Sequence, residues 1–244
     1  MKRSFADLHL KITLKETQTL HNTIHRTAKF GYHYIAIPFS LEPSMEEIEN
    51  LKTVCKNAGI EPVLRADLYP RNENDLMNSL RRLRRKFDII CVLCDNKEIS
   101  RQAAKDRRVD LLNFPNFDYR KRFFDRSEAE LARSGTAALE IDIKPLLVLA
   151  GPARIRFLSC LHREIAIAKT FGVPLIVSSG ATEECFMRMP RDMASLSYLF
   201  GLSNAEALDA VSSNPLSIVL RNREKLDNSF IAPGIRIVKE GNDL

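Results

Sequence analysis

The chain has 244 residues, of which 45% are hydrophobic, with only 9 glycines and 11 prolines. That is the length and make-up of one α/β barrel with a full apolar core, and it excludes a low-complexity or disordered chain. A formal charge of +6 favours a polyanionic partner, because Lys and Arg that neutralise phosphates gain free energy from counterion release. The five cysteines are odd in number, no secretory leader is visible at residues 1–5, and no apolar run is long enough to span a bilayer. These features predict a reducing, cytoplasmic setting and no membrane partner.

In chain order, short apolar runs predict strands at 5–10, 33–38, 61–68, 88–93, 109–114, 137–143 and 173–179. Between them lie amphipathic segments with helix-start signals. Thr13 with Glu16, Ser44 with Glu47, and Ser127 with Glu130 each fit a capping box, which satisfies two orphan amides at a helix start. Gly31, Gly59, Gly135, Gly172 and Gly201 sit where helices should stop, as left-handed residues. Pro152 and Pro190 suit first helical turns.

Strands separated by helices imply right-handed crossovers and a parallel sheet. A closed ring fits better than an open dinucleotide-binding sheet, because no GxGxxG turn follows the first strand. The expected fold is an irregular, TIM-like α/β barrel of about seven parallel strands over residues 1–226. Extra helices open at Ser203 with Glu206 and at Asn214-Pro215, and residues 227–244 form a tail, read as an edge strand, a clasp or a disordered extension. Cys91 and Cys94 form a CxxC, but three residues apart on a strand they point to opposite faces, so no zinc site is expected.

Barrel chemistry resides at the C-terminal ends of the strands. Those ends offer Asp7 and His9, Ser40, Asp67, Asp95, Asn113 and Asn116, Glu140 and Asp142, and residues 178–182. Asp7-Leu-His9 is the sharpest signal, since alternate residues on a strand share a face and could hold a metal. It resembles the opening strand of the polymerase and histidinol phosphatase (PHP) family of metal-dependent phosphoesterases, with Lys11 in place of the second His. Glu140 falls where that family places a carboxylate ligand, and the segment 179–182 falls where it would supply Asp and His. A cationic Lys11 repels a divalent ion and two ligands are missing, so Asp7, His9 and Glu140 read as a degenerate metal site. The alternative is a working PHP-type phosphoesterase using Asp7, His9, Glu140 and Asp142. A further alternative is an anionic small molecule held by the small residues of 178–182. His21 and His25, four apart on a helix, lack the Glu of HExxH, and His33 and His162 stand alone.

Basic clusters carry more weight. Arg81, Arg82, Arg84, Arg85 and Lys86 occupy a helix whose Leu76, Leu80, Leu83 and Phe87 face inward, and read equally as a solvated face or a phosphate contact. Arg107 and Arg108 precede the fifth strand. The loop 114–126 interleaves Arg120, Lys121 and Arg122 with aromatics, a mixture that suits phosphates and unpaired bases. Arg154 and Arg156 open a helix whose N-terminus favours anions.

An ordered series of segments follows: Val109-Asp-Leu-Leu, Leu139-Glu-Ile-Asp-Ile-Lys-Pro-Leu147, Val177-Ser-Ser-Gly-Ala181, Met187-Arg-Met-Pro-Arg-Asp192, Leu199-Phe-Gly, Val211-Ser-Ser-Asn-Pro215 and Asn222-Arg-Glu-Lys225. The series resembles the barrel-subunit family of archaeal and eukaryotic ribonuclease P, over residues 5–226 and most strongly from 109 on. The resemblance implies a PHP-like barrel without its metal site, no catalytic residue and no cofactor on this chain. It implies that the RNA subunit holds the Mg²⁺ ions that cleave the 5′ leader of precursor tRNA. The implied partners are the ribonuclease P RNA, precursor tRNA indirectly, and a small Pop5-type protein subunit in a heterotetramer. Lys144, Arg188, Arg191 and Asp192 match as family contact positions. The expected RNA-binding set is Arg107, Arg108, Arg120, Lys121, Arg122, Lys144, Arg154, Arg156, Arg188 and Arg191.

Overall fold

The computed structural model describes residues 3–14, 17–116, 121–227, 229–232 and 235–236. Seven parallel strands run in sequential order around a barrel: β1 (Phe5–Asp7), β2 (Tyr32–Phe39), β3 (Glu61–Leu68), β4 (Ile89–Leu93), β5 (Leu111–Asn113), β6 (Ala138–Asp142) and β7 (Leu175–Ser178). The expected strands are all present, and 61–68 holds to the residue. The first is shorter than its apolar run because the Asp7 carboxylate accepts a hydrogen bond from the His9 amide at 3.2 Å. This local bond competes with the ladder and turns the chain inward.

Helices α1 (Thr17–Phe30), α2 (Met45–Ala58), α3 (Glu73–Leu83), α4 (Lys97–Lys105) and α5 (Arg126–Gly135) alternate with the first six strands. After β6 come α6 (Lys144–Val148) and α7 (Gly151–Phe171), and after β7 come α8 (Pro190–Ser197), α9 (Asn204–Ala210) and α10 (Ser213–Leu226). The capping boxes at Ser44 and Ser203 are formed with Glu47 and Glu206. The box expected at Ser127 is not. Asp125 caps α5 instead, accepting from the Glu128 amide at 2.9 Å, a charged acceptor two residues earlier. The Thr13 box involves Glu16, which lies outside the described residues.

Gly135 also departs from expectation. It ends α5 against α4, where a Cβ would stand 2.1 Å from the Ala104 carbonyl oxygen. Close helix approach therefore claims the glycine, and the left-handed stop falls on Thr136 at φ 71°.

Strand alternation sorts the core into two bodies. One lies between sheet and helices. The other fills the lumen: Ala6, Ala36, Val63, Ile89, Leu111, Ala138 and Ile176 meet Ile218 and Val219 of α10. Cys91 joins the lumen and Cys94 the outer layer, on opposite faces as their spacing requires. Thus α10 lies across the N-terminal end of the barrel as a plug. Between β7 and β1 the ring is joined by the Lys11 amide donating to the Ala181 carbonyl at 2.8 Å, and the Ala6 amide donates to the Val211 carbonyl at 3.0 Å. The described part of the tail pairs β8 (Phe230–Ala232) with β9 (Ile235–Arg236), antiparallel, and Arg236 bonds Glu224 of α10 at 2.6 Å. No helix among the described residues is long and apolar enough to cross a membrane.

Candidate nucleic-acid interface and the barrel mouth

The C-terminal mouth of the barrel is filled by an ion-pair network with Arg65 at its centre. Arg65 stands on β3, two residues before Asp67, points into the lumen and is 0% exposed. A buried guanidinium must meet every N–H with an acceptor. It donates to both Glu140 oxygens at 2.6 and 2.7 Å, to Asp67 Oδ1 at 2.6 Å and to the Leu8 carbonyl at 2.6 Å. Glu140 also accepts from Ser178 Oγ at 2.8 Å and Asn113 Nδ2 at 3.0 Å.

His9, likewise buried, bridges Asp142 through Nδ1 at 2.8 Å and Asp67 through Nε2 at 3.1 Å. Burial and the Arg65 charge oppose its protonation, but the Asp142 and Glu140 carboxylates and the bond to Asp142 outweigh them and lift the ring pKa to about 9. Asp142 answers in kind. Despite burial, His9, Lys11 and Arg65 hold it down to about 2. Lys11 Nζ stands 3.5 Å from Asp142 Oδ2. Asp67, Glu140 and Asp142 are thus matched by Arg65, imidazolium His9 and Lys11. Burial pushes Asp7 up, while its Oδ1 accepts the Ser179 amide at 3.0 Å.

Side-chain donors of His9, Glu140 and Asp142 lie within 4.8 Å of one another, the spacing of a metal site. As arranged, they do not form a metal shell: both Glu140 oxygens face Arg65, and both His9 nitrogens face carboxylates. The segment 178–182 is also committed. Ser178 bonds Glu140, the Ser179 amide bonds Asp7, the Ala181 amide bonds Ser179 Oγ, and Gly180 packs so tightly that a Cβ would meet Asp142 at 2.8 Å. Its Ser178, Ser179 and Ala181 donors are spent inside the turn, while Gly180 and Thr182 border a cavity of about 150 Å³ that Lys11 and Lys144 also line. The pairing of His9 with Asp67 and Asp142 was not visible in sequence, nor was Arg65. The signal that could have found Arg65 is its alternation with Asp67, two charges on the lumen face of a strand buried on both sides.

The expected RNA-binding residues divide between two ends and the core. Arg122 is corrected outright. It is buried, donating to Glu164 at 2.9 and 2.6 Å, with its guanidinium over Phe157 at 5.2 Å. Phe114 and Phe124 are core residues as well, packed edge-on to one another. The described part of the loop 114–126 therefore presents no aromatic platform, because Phe114 and Phe124 lie in the core and Phe123 packs against it. Arg120 lies outside the described residues. Lys121 is exposed.

On the C-terminal side, Lys144 donates to Thr182 Oγ1 at 2.6 Å and lies over the Phe186 ring at 4.9 Å. Arg154 and Arg156 are exposed in the first turns of α7, and Arg154 bonds the Leu149 carbonyl. Arg188 donates to the Cys185 and Met187 carbonyls at 2.8 and 2.7 Å, and Arg191 is exposed at the start of α8. Exposed His21 and His25 lie on α1, His33 Nδ1 accepts the Phe5 amide at 3.3 Å, and His162 stands beside Gly201.

The N-terminal end holds the other group. Asp110, buried, accepts from Arg84, from Arg221 at 3.1 Å, from Asn222 at 2.7 Å and from the Ile90 amide at 2.9 Å, which bolts α10 to β4 and β5. Arg108 is occupied by Asp106 at 2.6 Å. Around them, a cavity of about 250 Å³ is lined by Arg84, Arg85, Arg107, Arg108, Asn222, Lys225 and Leu226. Arg85 and Arg107 are exposed and make no ion pair among the described residues. Burial and then the Arg221 charge, with Arg84 and Arg107 behind it, push the Lys225 ammonium down, against the pull of Asp110.

The molecule is a parallel α/β barrel with an ion-pair network at its mouth, and at the opposite end Arg85 and Arg107 make no ion pair among the described residues, a surface suited to a polyanion. Comparison with known proteins supplies the family: the profile of RNase P subunit p30 matches residues 4–227, and the chain belongs to that family. It is a protein subunit of ribonuclease P, the tRNA-processing ribonucleoprotein endonuclease, and the phosphoesterase alternative is not favoured. Ribonuclease P protein component 3 of Methanosarcina acetivorans is 33% identical over 225 residues, covering 91% of this chain and 92% of that protein. Its counterpart in Methanococcoides burtonii is 28% identical over 236 residues, covering 97% and 95%. A chain of the cryo-EM structure of archaeal ribonuclease P with mature tRNA superposes with a TM-score of 0.84 at 20% identity, covering 98% of this chain and 100% of that one. An amidohydrolase superposes with a TM-score of 0.55 at 11% identity, over 96% and 77%. Both structural matches concern the fold.

Proposed function

We propose that the chain binds the catalytic RNA of ribonuclease P through surface cations and contributes no catalytic residue and no metal of its own. The observation that carries this reading is the barrel mouth: the position where barrel enzymes react is spent on Arg65, His9 and their carboxylates. Arg85, Arg107 and Lys225 are the contacts at the N-terminal end. Lys121, Lys144, Arg154, Arg156, Arg188 and Arg191 are those on the C-terminal side. Phosphate contacts of this kind fix register and orientation on an RNA without reading sequence. The Mg²⁺ ions of 5′-leader cleavage then belong to the RNA, and precursor tRNA meets this chain indirectly.

A Pop5-type protein is the proposed partner in a heterotetramer. Exposed apolar residues offered to it are Val148 on α6, Ile155 on α7, Met189 just before α8, and Tyr198 and Leu199 in the turn after α8. The test is reconstitution of precursor-tRNA cleavage from the RNA at moderate Mg²⁺, with and without this chain and the partner. Stimulation is expected, and a cleavage rate indifferent to the chain in both settings overturns the reading.

A further inference from the structure

In the mouth, Asp67 and Glu140 hold the Arg65 guanidinium, and beside it His9 links Asp67 to Asp142 with its Nδ1 3.8 Å from Glu140 Oε2. We propose that Arg65 is a built-in cation holding closed a divalent-metal site, and that removing its side chain opens that site to Zn²⁺.

Three observations carry this. The guanidinium is the sole partner of neither Glu140 nor Asp67. Ser178 and Asn113 keep Glu140 in place, and His9 holds Asp67, so the acids stay oriented once Arg65 is gone. The donor atoms of His9, Glu140 and Asp142 already lie within 4.8 Å of one another, so small rotations bring them around one ion. One imidazole with two or three carboxylates is a donor set that Zn²⁺ accepts at about 2.0–2.2 Å. Charge points the same way. Without Arg65 the buried Asp67 and Glu140 lose their counterion, and a dication restores it. In the wild-type chain the guanidinium occupies the space, both Glu140 oxygens are turned to it, and the added positive charge repels an ion.

The inference does not depend on the RNA-binding reading, and its test uses no RNA. The full chain is prepared as Arg65→Ala and as Arg65→Lys beside the wild type, each exchanged into Zn²⁺ or into chelator. Zinc content and thermal unfolding are then measured. The expected result is about one tightly held zinc per chain in Arg65→Ala alone, with a melting temperature that rises in Zn²⁺ and falls in chelator. Arg65→Lys, which keeps a cation in place, takes up none. A second change, Glu140→Gln in the Arg65→Ala background, should remove the uptake. A folded Arg65→Ala chain with no more zinc than wild type overturns the proposal. So does one that stays unfolded in Zn²⁺ as in chelator, since a replacing dication should restore the fold. A wild-type chain that already holds a zinc lost on Glu140→Gln overturns it as well, because Arg65 then excludes nothing.

Discussion

The two ends of this barrel are both rich in arginine, and they use it differently. At the C-terminal mouth, Arg65 and His9 are sealed among Asp67, Glu140 and Asp142. At the N-terminal end, Asp110 and Asp106 engage Arg84, Arg221 and Arg108, while Arg85, Arg107 and Lys225 make no ion pair among the described residues. A cation that is matched and dry organises the fold. One that is unmatched and wet is available to a phosphate. Arginine count alone separates neither role, and the position of the nearest carboxylate does.

The mouth is where the largest effect is expected. Glu140→Ala leaves Arg65 buried with one acid fewer and strips acceptors from Ser178 and Asn113, and breaking a buried pair in this way costs about 3–5 kcal/mol. Denaturant unfolding measures it, and a loss below about 1 kcal/mol would mean that the mouth is not dry.

Glu128 sharpens the contrast, because it is a buried acid given a hydroxyl rather than a cation. Burial pushes its pKa up to about 7, against the bond from Ser100, and its Oε2 is buried without a hydrogen-bond partner. The folded chain therefore holds a proton that the unfolded chain, with an ordinary value of 4.5, has released. This contribution to stability is complete below about pH 4.5 and is lost as pH rises through 7, by about 1–3 kcal/mol in total. Glu128→Gln should flatten that decline between pH 4.5 and 7. An identical pH profile in both chains would remove Glu128 from the account.

What the sequence revealed divides by range. Interactions closed within one turn were legible: the boxes at Ser44 and Ser203, the left-handed Gly31, Gly59, Gly172 and Gly201, and the strand at 61–68. So was the gathering of His9, Glu140 and Asp142, since all three lie at or just beyond the C-terminal ends of predicted strands. Pairings across the fold were not. Arg65 finds Glu140 at a separation of 75 residues, and Arg122 finds Glu164 at 42. Nothing local distinguishes a cation waiting for phosphate from one already paired in the core. Arg122 therefore read as a surface contact, and Arg65 passed as an ordinary strand residue. Asp125 and Thr136 are smaller cases of the same kind, where a neighbour in space overruled the best local candidate.

The surplus at the N-terminal end yields the smallest effect on the fold and the most direct test of its use. Replacing Arg85, Arg107 and Lys225 together by Ala removes exposed cations that make no ion pair among the described residues, so stability should change by no more than about 0.5 kcal/mol per site. RNA affinity should respond in its salt dependence. Each cation that meets a phosphate adds about 0.7–0.9 to the slope of log K against log salt, so the triple variant should lower that slope by about 2. Lys225 adds a second signature. Its ammonium is disfavoured in the free chain by burial and then by Arg221, and an arriving phosphate reverses that repulsion, so binding through this end should take up protons at alkaline pH. Titrating RNA binding in two buffers of different ionisation heat reads the proton count. A triple variant with the wild-type slope and proton uptake would move the phosphate contacts to Lys144, Arg154, Arg156, Arg188 and Arg191. The cations around α10 would then serve only to hold the plug against the barrel.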